Sequence, residues 1–193
     1  MNRKQQLMLR LLDKRIQMCE RCGLHSGGRC APYFSKNSKF VIIGEAPGKN
    51  EVNNNTPFCG TAGKHLWDIM DIYGFRREEF LIINSVNCRP VKDNRNGKPT
   101  YKEIEACKGW LHKYLRVLLP EAILILGNYA MYSMINESQG IMGYNGDVID
   151  LHKYHTKGVL SVHPSMCIYH GSKGKQMLND SVSKFREVIG NGG

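Results

Sequence analysis

"FVIIGEAPGKNE", residues 40–51, sets a short apolar run against a glycine-proline turn, then a lysine and a glutamate. A β-branched run stopped by glycine reads as a buried strand. The loop behind it invites comparison with a phosphate-cradling P-loop, which needs four residues between its glycines and then Lys followed by Ser or Thr. Gly44 and Gly48 have three residues between them, and Asn50 follows Lys49. "GTAGKH" (60–65) fails on spacing and on its last residue. A nucleoside triphosphate is not the expected ligand, so the loop serves another purpose.

Working outward, "FLIINSV" (80–86) and "AILILG" (122–127) repeat the strand pattern, while "GDVIDL" (146–151) and "GVLSVHP" (158–164) are shorter strand candidates. Between them lie helical patterns. Leu7, Leu11, Leu12 and Ile16 mark the expected buried face of an N-terminal helix. Leu66, Ile69, Met70 and Tyr73 mark that of a second, stopped at Gly74. Residues 101–119 read as a helix ended by Pro120, 128–135 as a short one and 173–189 as the last. The polar stretch "RPVKDNRNGKPT" (89–100) reads as a loop. Strands alternating with helices predict an α/β fold, a three-layer α/β/α sandwich around a mostly parallel four-stranded sheet. One domain over 1–193 is expected, with a helix and cysteine-bearing segment at 1–38 and a flexible tail at 190–193.

In open sheets of this kind, ligands bind beyond the carboxyl ends of the strands. The polar residues that end the apolar runs all fall there. Glu45, Asn84, Asn128 and His163 are expected in one cleft.

Lys and Arg number 27 against 17 Asp and Glu, a formal charge of +10. This excess favours a polyanionic partner, nucleic acid before an acidic membrane surface. No stretch approaches the ~20 apolar residues of a membrane span. The N-terminal run is broken by Arg10, Asp13, Lys14 and Arg15, unlike a signal peptide. Seven cysteines with no secretory signal point to a reducing, cytoplasmic setting and to metal or free thiols. Cys19 and Cys22 form a CxxC whose bite suits one metal or one cluster edge. No second close pair completes a zinc ribbon. Two distant single cysteines could complete four ligands, or every thiol could be a small buried hydrophobe.

Taken in order, Cys19-x-x-Cys22, "GEAPGKNE", "PFCGTAG", "NSVNCRP", "EACKGWL", "LILG" and "HPS" resemble the family-4, iron–sulfur uracil-DNA glycosylases, and the resemblance spans nearly the whole chain. It implies a 4Fe–4S cluster on Cys19, Cys22, Cys88 and Cys107, with Cys30, Cys59 and Cys167 as non-ligands. It implies hydrolysis of the N-glycosidic bond of deoxyuridine in DNA, single- or double-stranded, releasing uracil and leaving an abasic site. Charge then develops at two places, on an oxocarbenium-like sugar and on the departing uracil anion. His163 fits a donor to the uracil 2-carbonyl. Glu45, with the Ala46 backbone, fits the group that stabilises the sugar cation and holds the water. The Asn84 amide matches the 4-carbonyl and N3–H of uracil, Phe58 offers a stacking face, and Gly48 belongs to the loop around the flipped base. Glu51 resembles the family residue that blocks the methyl group of thymine.

DNA contacts are expected from Lys92, Arg95 and Lys98 in the basic loop, from Ser165, and from Lys173 and Lys175. The enzyme is expected to be a monomer and monofunctional, since no lysine lies where an amine would reach the sugar. Residues 89–106 hold no histidine, which argues against the covalent trapping of a related branch. The chain departs from the family at Val52, where an acidic residue is usual, and in "MCIYHGSKGK" after "HPS". Met166, Ile168 and Tyr169 are therefore candidates for the wedge that fills the gap left by the flipped base. Two alternatives accompany these departures: a catalytically altered iron–sulfur DNA-binding relative, or a glycosylase for another modified base.

Overall fold

The computed structural model describes residues 1–138 and 140–190. In chain order its elements are α1 (Arg3–Gln17), β1 (Phe40–Gly44), α2 (Lys49–Asn54), α3 (Thr61–Ile72), β2 (Phe80–Asn84), β3 (Val91–Lys92), β4 (Arg95–Asn96), α4 (Tyr101–Leu118), β5 (Ala122–Leu126), α5 (Asn128–Ile135), β6 (Val148–Leu151), β7 (Thr156–Ser161), α6 (Met166–Tyr169) and α7 (Gly171–Gly190). The last helix reaches Gly190, and the rest of the expected tail lies outside the described residues.

The apolar strands form one sheet in the order β2-β1-β5-β7-β6. The first four are mutually parallel and β6 runs antiparallel to β7. The sheet thus has five strands where four were expected. The added edge strand, β6, is largely exposed, and its mixed pattern "VIDL" lacks the unbroken apolar run that marks a buried strand. Every residue of β1, β2 and β5 is buried, as expected of strands covered on both faces.

Helices cover the sheet in two groups, α1, α4 and α5 in one and α3, α6 and α7 in the other. Phe40, Phe75, Phe80 and Phe185 pack ring against ring at centroid distances of 5.5–6.2 Å, locking α7 onto β1 and β2. Asn2 and Gln5 cap α1 reciprocally, and Thr100 and Glu103 do the same for α4. Leu119, in the left-handed region, and Pro120 end α4.

The buried face of α1 differs from the expected one. Leu9 and Ile16 are buried, whereas Leu7 and Leu11 are 59% and 51% exposed. The helix is rolled so that Gln5 donates to the Val117 and Leu118 carbonyls, and Tyr114 donates to the Asp13 carboxyl. Two overlapping leucine stripes share this helix, and those polar bonds select between them.

Residues 89–100 are not simply a loop. Val91 pairs with Asn96 and Lys92 with Arg95 in a small antiparallel hairpin. Asp93 and Asn94 turn the chain with φ of 50° and 59°, values that asparagine and aspartate tolerate best after glycine.

The order of strands reverses at β1. The chain leaves β1 to build β2 on one side, then crosses to build β5 on the other. A crevice opens at such a switch point, beyond the carboxyl ends of the two strands.

Candidate active site

Glu45 stands in that crevice, immediately after β1. Its carboxylate accepts the backbone N–H groups of Tyr129 and Asn128 at the start of α5. Gly127, with φ +92°, makes room for it, since a Cβ there would lie 2.4 Å from Glu45 Oε1. Burial pushes the carboxyl up to about 7, opposed by the Tyr129 N–H, by Lys98 and by the Asn128 N–H. A carboxylate so placed changes charge near neutrality.

Asn84 ends β2 beside Gly44 and is 5% exposed. A Cβ on Gly44 would fall 2.3 Å from Asn84 Oδ1 and 2.7 Å from Phe58 Cζ. Glycine is therefore what lets an amide and an aromatic ring close over the end of β1. Phe58 has φ +51°, and its backbone is pressed against Gly63 at the start of α3. Its ring lies 6.0 Å from the His163 ring, tilted by 32°.

His163 follows β7 and is turned by a Met166 N–H bond to its carbonyl. The Ser165 backbone N–H donates to His163 Nδ1 at 3.2 Å, and Ser165 Oγ lies 2.9 Å from the same atom. Burial drops the imidazole to about 4, so the ring is neutral. With Nδ1 accepting, the proton sits on Nε2.

Glu51 spends both carboxylate oxygens on backbone. Oε2 accepts from Gly48 N–H at 3.1 Å and Oε1 from Gly60 N–H at 2.8 Å. It joins the loop after β1 to the loop before α3, a role its place in the sequence does not disclose.

These side chains line one cleft: Glu45, Ala46, Gly48, Glu51, Phe58, Asn84, Asn128 and His163, with Lys98 and Ser165. The four strand-end residues expected to converge do so. Among the described residues the Asn84 amide has no hydrogen-bond partner. Ile168 and Tyr169 also line the cleft and are 49% and 76% exposed, whereas Met166 is half-buried. Lys92 and Arg95 lie outside it, on the exposed hairpin that bears Lys98 at its base. Lys173 and Lys175 are exposed near the start of α7 and do not line the cleft. Asn96, not singled out from the sequence, lines the cleft as well.

The cysteines divide in two. Cys19, Cys22, Cys88 and Cys107 line one small cavity between the segment after α1, the strand-end after β2 and α4, walled by Ile16, Leu24, Val86 and Trp110. Trp110 Nε1 donates to Cys19 Sγ at 3.2 Å and Asn87 Nδ2 to Cys107 Sγ at 3.7 Å. Arg29 bonds the Gln17 and Cys19 carbonyls, and its buried Nε has no partner. Among the described residues no three His, Cys, Asp or Glu side chains close to the spacing of a single metal ion. Cys30 and Cys167 are buried elsewhere and Cys59 is exposed.

The model of the uracil DNA glycosylase superfamily matches residues 31–186. The chain belongs to that superfamily. Within it, the chain is 30% identical over 183 residues to the type-4 uracil-DNA glycosylase of Archaeoglobus fulgidus, covering 91% of this chain and 88% of that one. It is 31% identical to the type-4 enzyme of Saccharolobus solfataricus (94% and 86% covered). It is 28% identical to that of Thermotoga maritima (94% and 95% covered). The superfamily match takes in every residue of the cleft and the cysteines from Cys59 onward, and starts beyond Cys19, Cys22 and Cys30. No helix among the described residues is long and apolar enough to cross a membrane.

Proposed function

We infer that this protein is a monofunctional uracil-DNA glycosylase of DNA repair: a hydrolase that adds water at C1′ of deoxyuridine, breaks the C1′–N1 bond, releases uracil and leaves an abasic site. The observation that carries this reading is the Asn84 side-chain amide, which among the described residues lines the cleft free of any hydrogen bond beside the Phe58 ring, together with His163 and Glu45.

An extruded uracil would stack on Phe58 and present its 4-carbonyl and N3–H to Asn84. His163 would donate from Nε2 to the 2-carbonyl as negative charge gathers on the leaving base. A neutral imidazole with its proton on Nε2 can donate this bond, stabilising the anion without any proton transfer. Glu45, ionised, would sit near the cationic sugar and orient water with the Ala46 backbone. Glu51 and Gly48 would set the wall that rejects a larger base.

For the DNA, we assign Lys92, Arg95, Lys98, Ser165, Lys173 and Lys175 to the backbone, and Ile168 and Tyr169 to the vacated stack in preference to the half-buried Met166. We also assign a 4Fe–4S cluster to Cys19, Cys22, Cys88 and Cys107. Four thiols sharing one apolar cavity, N–H donors aimed at their sulfurs and an orphaned guanidinium N–H in its wall fit such a group. When bound it would tie the segment after α1 to α4 and add no step to hydrolysis. The chain would act as a monomer and as one domain over 1–193, in a reducing compartment such as the cytoplasm.

Incubation with single- and double-stranded DNA carrying one uracil, followed by alkali, tests the reading. Breaks at uracil, none at thymine and none before alkali are expected. Tight binding without release of base would mark an altered relative, and release of another base alone would reassign the pocket.

A further inference from the structure

The hairpin of β3 and β4 has no core of its own. Its four strand residues are exposed, and a two-stranded ribbon of this size does not hold its place unaided. Its position depends on anchors. At its root, Arg89 N–H donates to the Gly28 carbonyl, and Gly97 N–H closes onto Pro90. The other anchor is one atom. Asn96 Oδ1 accepts from the Arg89 guanidinium Nε at 2.6 Å and from the Lys49 backbone N–H at 3.2 Å.

Lys49 opens α2, and its N–H is one of the donors left free at a helix start. It follows Gly48, whose own N–H is held by Glu51. A Cβ on Gly48 would stand 3.1 Å from Asn96 Nδ2, so the hairpin lies close against this loop. Two residues beyond Asn96, Lys98 lines the cleft with Glu45.

We propose that Asn96 is a positioning residue of the cleft: its side-chain carbonyl fastens the basic hairpin to the loop behind β1 and so holds Lys98 in the cleft that contains Glu45. This rests on the reading that Glu45 works ionised at the sugar, and it gives Lys98 a task beyond touching DNA. Lys98 is the cation that opposes the effect of burial on Glu45. The other titratable groups that line the cleft are Lys49 and Glu51 on α2, His163 after β7 and Tyr169 on α6, and Tyr129 near the start of α5 acts on the carboxyl as well. None of these belongs to the hairpin itself. A hairpin that docks on DNA and is pinned at Asn96 would couple substrate engagement to the charge state of the catalytic carboxylate.

The test uses the full-length, cluster-loaded protein and the variants Asn96→Ala, Asn96→Asp, Lys98→Met and Lys98→Arg. Two readouts do not depend on excision: the titration of the Glu45 carboxyl carbon by NMR and hydrogen exchange at the Lys49 amide. Asn96→Ala should expose the Lys49 amide, while Asn96→Asp, which keeps an accepting oxygen, should protect it. Lys98→Met and Asn96→Ala should each raise the Glu45 titration by about half a pH unit or more, and Lys98→Arg should not. In the Lys98→Met background, Asn96→Ala should add nothing. The acid limb of single-turnover excision should move upward in parallel. A Glu45 titration unchanged by Asn96→Ala, or shifted equally with and without Lys98, overturns the proposal. A wild type that titrates as expected but releases no uracil would instead sink the function proposed above, leaving this linkage standing.

Discussion

The Ser165 backbone N–H points at Nδ1 of His163, 3.2 Å away, and so fixes where the imidazole can carry its proton. Every residue but proline supplies this N–H, which makes it a secure way to choose a tautomer. His163→Ala should then lower single-turnover excision on the order of 10²–10³, with DNA affinity nearly unchanged. Equal losses in rate and affinity would make the residue a binding contact only.

Excision should rise with pH through a single limb near 7, where Glu45 ionises, and show no second limb above pH 5 because His163 stays neutral there. The same shift has a stability consequence. A carboxyl whose folded value is raised favours folding below its unfolded pKa of about 4.3, and that advantage is lost as pH climbs through 7. Glu45→Gln should therefore abolish turnover yet raise the melting temperature at pH 8 by about 2 °C or more, with little change at pH 4. Equal melting temperatures at pH 8 would contradict the burial argument.

Glu51→Ala removes the acceptor for two backbone N–H groups at once. About 2–3 kcal/mol of stability should go with it, measured by denaturant unfolding, together with most excision and some discrimination against thymine. A variant as stable as wild type that merely accepts thymine would return Glu51 to the role its place in the sequence suggests.

The cysteines separate cleanly in an absorbance experiment. Purified protein should be brown, with a broad band near about 400 nm. Cys88→Ser and Cys107→Ser should bleach it, whereas Cys30→Ser and Cys167→Ser should keep the colour. Colourless protein with stoichiometric zinc would refute the cluster assignment.

Neutralising Lys92 and Arg95 together should cut the slope of log affinity against log salt by about 2 on duplex DNA while leaving uracil preference intact. An altered base preference with an unchanged slope would move these residues into the pocket.

Much of the site was legible because its chemistry is local. Glu45, Asn84, Asn128 and His163 each interrupt an apolar run at the end where α/β sheets bind ligands, and the sheet brings them together. What escaped depends on contacts between distant segments. The roll of α1 was decided by Tyr114 and by carbonyls 112 and 113 residues away from Gln5. Edge strand β6 was visible as a short candidate, but its mixed pattern did not earn a place in the sheet. The hairpin did leave a signal, "KDNR", a two-residue Asp-Asn turn between residues that pair, hidden by the polarity of its strands. The backbone amides that Glu51 and Asn96 meet could not be read from the sequence, since only the fold brings them together.

The order of strands also bears on chains that stop early. The histidine follows β7, which enters the sheet beside β5 only after the walls bearing Glu45, Phe58 and Asn84 have been made. A product ending near residue 150 would still contain Phe58, Asn84 and Glu45. It would lack His163, the donor proposed for the leaving group, and the wholly apolar β5 would be left as a naked sheet edge, open to pairing with another chain. Such a fragment would be more hazardous as a seed for aggregation than as a competitor for damaged DNA.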